Sequence, residues 1–256
     1  MNKCYTTLIA AIFLAACQPA PEPFLSEYET IDLLIENGRV LDGRGNEAVM
    51  ADVAIVDDRI VFVGDAGFTD EDRATRIART IDAAGRIVAP GFIDLHSHGD
   101  PLETPTMENF LAMGVTTISL GQDGSSPDVV PLSDWLADVR AGGIGTNLAM
   151  FVGHGTLRDQ SGIGMSASPE AEDLQRMADM LDEALDYSFG MSSGLEYNPG
   201  LNAGKDELRA LARVVGANDR IIMSHMRNED DDQLEASIAE LLEQGEDARV
   251  HIAHLK

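Results

Sequence analysis

Two histidines one residue apart, His96 and His98, close a short apolar run, Phe92 to Leu95, that follows Ala89-Pro90-Gly91. Side chains alternate faces along a strand, so both rings point the same way and can grip one ion. Imidazole nitrogens suit zinc above other ions. Alone, a His-x-His pair is equally at home among surface or core histidines. Set behind Pro-Gly and a buried-type strand, it favours a metal site.

The remaining histidines sharpen that reading. Of six in the chain, five stand at or just past the end of a predicted strand: His96, His98, His154, His225 and His254. The sixth, His251, lies three residues before His254 in the same predicted strand, an odd separation that turns it to the opposite face and a structural role. Gln122 and Asp123 follow another strand, in Gly121-Gln122-Asp123-Gly124. Each residue alone has a plainer reading. His225 and His254 fit as satisfied core histidines, Asp123 as a turn residue, and His154 as a pocket-wall or loop residue rather than a ligand. Jointly, convergent imidazoles and a carboxylate at one end of a sheet are what a zinc hydrolase requires. The metal lowers the pKa of water and polarises a carbonyl, and a carboxylate shuttles the proton.

The elements that must position these residues fall into two styles. From Ile31 to about Val88 the pattern is short strands and tight turns, which reads as a small β-sandwich domain, residues 31–88. Asn37-Gly38 predicts a hairpin between Ile31–Glu36 and Arg39–Leu41, and Asp57-Asp58-Arg59 predicts another reversal. Strands at Ile81 and Ile87-Val88 follow. From residue 89 onward, strand, loop and helix repeat. Strands are predicted at Phe92–Leu95, Val115–Leu120, Asn147–Val152, Phe189–Ser192, Ile221–Ser224 and Arg249–Ala253. Helices are predicted between them, one capped by Ser168 with Pro169 in its first turn. Another starts at Glu229–Asp232 and turns Leu234, Ile238, Leu241 and Leu242 to the core. This alternation indicates an α/β architecture with a parallel sheet, open or closed into a barrel, whose chemistry collects at the carboxyl ends of the strands.

With these residues in view the chain resembles a family. Gly91-Phe92-Ile93-Asp94-Leu95-His96-Ser97-His98 is similar to the first metal motif of the amidohydrolase superfamily. Gly153-His154-Gly155, Ser193 to Gly200, Ser224 to Glu229 and His254-Leu255-Lys256 narrow the resemblance to the N-acyl-D-amino-acid deacylases, the D-aminoacylases. It covers about Ile31 to Lys256. It implies a (β/α)8 TIM-like metal-dependent hydrolase barrel, with one or two Zn2+ ions held by His96, His98, His225 and His254. After the second barrel strand the family's best-known members carry a cysteine ligand, where this chain has Asp123, a harder donor. The family also ends its barrel with an aspartate on strand eight that serves as ligand and general base. Residues 89–256 reach only about six strands, and we expect an N-terminal part of a longer enzyme.

The activity so implied is hydrolysis of linear amide bonds in N-acyl-D-amino acids. Arg227 and Lys256 are placed to hold the substrate carboxylate or serve only as ion-pair partners; Tyr197 either hydrogen-bonds the substrate carbonyl or packs. A cyclic-amide hydrolase or isoaspartyl-type dipeptidase of the same superfamily, and a non-catalytic metal- or peptide-binding lipoprotein, are the other readings.

Charge and the N-terminus bound the setting. The formal net charge of −26, from 44 acidic and 18 basic residues, repels phosphate backbones and argues against nucleic-acid binding. Lys3 and the apolar Leu8 to Phe13 resemble a secretion signal, too short to span a bilayer comfortably. Leu14-Ala15-Ala16-Cys17 resembles a lipoprotein lipobox, so residues 1–17 are expected to end in a lipidated Cys17, with ordinary secretory cleavage as the alternative. Residues 18–30, with prolines at 19, 21 and 23, form a tether. The expected location is the periplasmic side of a bacterial membrane. Loss of Cys4 with the signal leaves no cysteine pair for a disulfide.

Overall fold

The structure, a computed structural model, describes residues 28–255. The predicted signal and lipobox, with Cys17, and the predicted substrate cation Lys256 lie outside the described residues. The chain divides between Pro90 and Gly91 into two compact units. Among the described residues no helix is long and apolar enough to cross a membrane.

In the first unit a central strand β1 (Leu33–Val40) pairs antiparallel with β2 (Val49–Val56), which pairs antiparallel with β3 (Arg59–Gly64). On its other side β1 runs parallel to β4 (Thr80–Asp82) and β5 (Ile87–Val88). Helix α1 (Asp70–Arg76) starts with a capping box between Thr69 and Asp72. The described residues form one mixed sheet with one helix, not the two facing sheets of a sandwich. Ile31, Leu34, Ala54 and Phe68 make its core. The turn at Asp57 is as expected, but the hairpin at Asn37-Gly38 is not there. Asn37 does take positive φ, +57°, but β1 is paired on both sides here and continues through a bulge at which its pairing with β2 shifts register.

The second unit is a curled sheet of six parallel strands, in spatial order β11-β10-β9-β8-β7-β6. These are β6 (Phe92–Asp94), β7 (Val115–Leu120), β8 (Asn147–Gly153), β9 (Gly190–Gly194), β10 (Ile221–His225) and β11 (Arg249–Ile252). The helices between them are α2 (Glu108–Ala112), α3 (Leu132–Gly142), α4 (His154–Ser161), α5 (Ala171–Ala184), α6 (Lys205–Ala217) and α7 (Leu234–Gln244). Parallel pairing of successive strands forces each crossover through a helix. The core sits between strand and helix layers, with Val152, Met191 and Ile222 packed among Met177, Leu181, Leu211 and Val215.

Three sequence expectations shift. Helix α4, opening at His154, was not foreseen. Helix α5 starts at Ala171 rather than behind a Ser168 cap, because Glu170 remains extended at φ −69° and ψ 153°. Helix α7 starts at Leu234, after Asp230–Asp232 have formed a turn, and it buries Leu241 while Leu242 is 61% exposed.

Candidate metal centre

The carboxyl ends of the strands converge on Asp123. After β7 the chain turns through Gly121, Asp123 and Gly124, all with positive φ (+80°, +55° and +76°). Aspartate tolerates that region better than most residues with a side chain. Gly124 also needs to be glycine for space, since an added Cβ would lie 2.7 Å from the Gly194 amide nitrogen. Hydrogen bonds from other elements hold the turn, among them the Gly124 amide donating to Ser192 Oγ (3.0 Å) and the Tyr197 hydroxyl donating to the Asp123 carbonyl (2.6 Å). Gln122, buried beneath, donates to Ser119 Oγ at 2.7 Å and to the Leu95 carbonyl at 3.2 Å, tying this turn to the His96 segment.

The Asp123 side chain then has two histidines on each side. Its Oδ2 lies 3.3 Å from His96 Nε2 and 3.2 Å from His98 Nε2. Its Oδ1 lies 3.6 Å from His225 Nδ1 and 3.6 Å from His254 Nε2. The rings pack edge-on, with centroids 5.3 Å apart for His96 and His98 and 4.5 Å for His225 and His254. His225 is nearly buried, while the His98 side chain is 65% exposed.

These separations test the fit of a metal. Ligands held tetrahedrally at zinc's usual bond lengths of about 2.0–2.1 Å stand about 3.3–3.4 Å apart. The four contacts span 3.2 to 3.6 Å. Those to Oδ2 also admit hydrogen bonds, but 3.6 Å to Oδ1 is too long for one. His225 Nδ1 and Asp123 Oδ1 are both buried and have no hydrogen-bond partner. Orphaned lone pairs of this kind are costly unless something takes them up. Two groups, His96–His98–Asp123 and Asp123–His225–His254, can therefore each hold a divalent ion, with Asp123 shared.

No protein-family model matches the chain. It is 38% identical over 240 residues to N-acyl-D-glutamate deacylase of Alcaligenes xylosoxydans xylosoxydans, covering 85% of this chain and 48% of that enzyme. It superposes on the crystal structure of N-acyl-D-glutamate deacylase from Bordetella bronchiseptica with a TM-score of 0.81 at 33% identity, covering 89% of this chain and 52% of that one. That structure contains zinc and a phosphonate inhibitor that mimics the tetrahedral intermediate. The chain is a homologue of the N-acyl-D-amino-acid deacylases. A D-aminoacylase structure that describes a binuclear metal centre matches at TM-score 0.78 and 30% identity, over 88% of this chain and 52% of that one. The chain thus spans about half the length of the relatives it matches.

Against this deacylase fold each sequence-derived site residue can be placed. His96, His98, Asp123, His225 and His254 come together as expected. His251 is exposed and outside both groups. Tyr197 lies over His225, ring centroids 5.0 Å apart. Burial first, then the Asp123 and Glu196 carboxylates, push its phenol above the usual range and keep it protonated. Arg227 is largely committed to the fold. It donates from Nε (2.9 Å) and Nη2 (3.0 Å) to the Glu240 carboxylate, and from Nη1 (2.8 Å) and Nη2 (2.9 Å) to the Leu201 and Ala203 carbonyls. One Nη1 hydrogen remains for a ligand.

His154 is neither a ligand nor a pocket wall. It is fully buried, with Nε2 2.7 Å from Glu207 Oε1, and Arg158 donates to both oxygens of Glu207 at 2.7 Å. Burial by itself pushes the Glu207 carboxyl up. The hydrogen bond and charge of His154, followed by Arg158, outweigh burial and hold it below the usual carboxylate range. Sequence reasoning missed Glu207 and also Glu196 and Glu229, which stand behind two of the histidines. Their signal was an acidic residue in the loop after each of β9 and β10.

Proposed function

We propose that this chain supplies the metal-holding portion of a hydrolase that removes the acyl group from N-acyl-D-amino acids, with Zn2+ as the metal. The observation that carries this reading is the single carboxylate of Asp123 flanked by two pairs of histidines, in a chain similar to a zinc-containing N-acyl-D-glutamate deacylase. Five residues would hold the metal: His96, His98, Asp123, His225 and His254. When bound, zinc lowers the pKa of water toward neutrality and polarises the amide carbonyl.

The chain's own residues bind and orient. Tyr197, kept protonated, is a hydroxyl donor whose bond to the Asp123 carbonyl can be exchanged for one to the substrate's acyl oxygen. A substrate carboxylate entering a chain of net charge −26 needs local cations. The remaining Nη1 hydrogen of Arg227 and the ammonium of Lys256 are the groups proposed to supply them. By the same resemblance, proton transfer belongs to an aspartate on an eighth barrel strand.

The test is the zinc-loaded whole protein incubated with N-acetyl-D-glutamate, N-acetyl-D-aspartate and their L enantiomers. Acetate release from a D substrate, lost in His225→Ala, is the expected result. Zinc-loaded protein that releases no acetate from any of them refutes the reading. We also propose, from residues 1–17, that the protein is exported and held at the membrane by lipid on Cys17.

A further inference from the structure

Glu196 and Glu229 lie outside both candidate ligand groups, yet each stands behind a histidine that belongs to one. Glu196, in the loop after β9, places Oε2 2.7 Å from Nε2 of His225, at the end of β10. Glu229, in the loop after β10, places Oε1 3.0 Å from Nδ1 of His254, just past β11, but the two atoms form no hydrogen bond. The loop after β9 alone thus braces the histidine of the next strand through a hydrogen bond.

The ring nitrogen so engaged is Nε2 of His225. A neutral imidazole carries one proton, and the nitrogen without it is the one that can ligate a metal. A carboxylate against one nitrogen draws the proton there and leaves the other lone pair free. For His225 the free nitrogen is Nδ1, which faces Asp123 Oδ1 at 3.6 Å, buried and without a hydrogen-bond partner. His254 turns Nε2 to the same oxygen at 3.6 Å. His96 and His98 both turn Nε2 to Asp123. As a simple surface ion pair, the half-exposed Glu196 would contribute little. Its place behind a buried ring gives it a different task.

We propose that Glu196 is a positioning residue that fixes which nitrogen His225 presents to the metal, Nδ1. The inference rests on the metal-dependent reading above. The test uses the whole protein and zinc itself. Zinc affinity is measured by competition with a chromophoric chelator for wild type, Glu196→Ala and Glu196→Gln. The alanine variant should bind zinc about 10- to 100-fold more weakly. The glutamine variant, whose amide oxygen still accepts the imidazole proton, should recover most of that loss.

Long-range proton–nitrogen correlation spectra of the zinc-loaded wild type give an independent readout. They should show His225 protonated on Nε2. A folded Glu196→Ala variant with wild-type affinity, or His225 protonated on Nδ1, overturns the proposal. Wild-type protein that binds no zinc overturns the metal reading instead, and this one with it.

Discussion

Replacing Asp123 with asparagine removes one of two oxygens and leaves the shape of the side chain almost unchanged. Oδ2 serves His96 and His98 at 3.3 and 3.2 Å, and Oδ1 serves His225 and His254 at 3.6 Å each. Asparagine has one oxygen that can ligate and one amino group that repels a cation. It can complete one three-residue group but not both. The variant should therefore bind at most one zinc ion where the wild type binds two. Changes in groups that only support ligands cost about 10- to 100-fold in affinity, so loss of a ligand shared by both groups should cost at least about a hundredfold at the group left incomplete. Asp123→Ala, with neither oxygen, should weaken both groups. Asp123→Cys, which restores an anionic donor able to touch two ions, should recover the second. Equilibrium dialysis followed by metal analysis counts the ions, and chelator competition gives the affinities. If Asp123→Asn holds two zinc ions at wild-type affinity, Asp123 does not join the two groups and the geometry has been misread.

Three further outcomes follow from the same coordinates. His254→Ala should strip zinc while His251→Ala leaves metal content near wild type, because only the first ring faces Asp123; metal analysis of both variants checks this. Glu207, whose carboxyl is held low by His154 and Arg158, contributes stability that is full above its unfolded pKa and is lost as pH falls through its folded pKa. Glu207→Gln should lower stability by about 3–5 kcal/mol at pH 7 and flatten that part of the acid limb, as read by denaturant unfolding across pH. Cys17→Ser should release the protein from membranes or block its processing, seen by fractionation; a variant that remains membrane-bound with unchanged processing removes the lipid anchor from the account.

The parts of this fold legible in the sequence are those where one local rule meets no competitor. The barrel strands show as apolar runs between turns, and period-two alternation separated His251 from His254. The two-residue turn at Asp57 reads correctly because positive φ there lies between two antiparallel strands that pair directly across it, Val56 with Arg59. Asn37-Gly38 carries the same signal but is overridden by pairing on both sides of β1, where Asn37 donates to the Asp52 and Asp82 side chains and the strand bulges instead of reversing. In the site, the ligands were legible because each sits at a strand end. The hydrogen bond behind His225 was not, because Glu196 stands 29 residues away and no local pattern ties the two. Arg227 was ambiguous for the same reason. A cation beside a histidine looks ready for substrate until Glu240, one helix later, is seen to hold it.

The most direct test of the central claim is anomalous diffraction at the zinc edge from crystals of the zinc-loaded protein. The account predicts anomalous peaks beside Asp123, one within reach of His225 and His254 and a second within reach of His96 and His98. Full zinc loading with the anomalous signal elsewhere, and none beside Asp123, would contradict it.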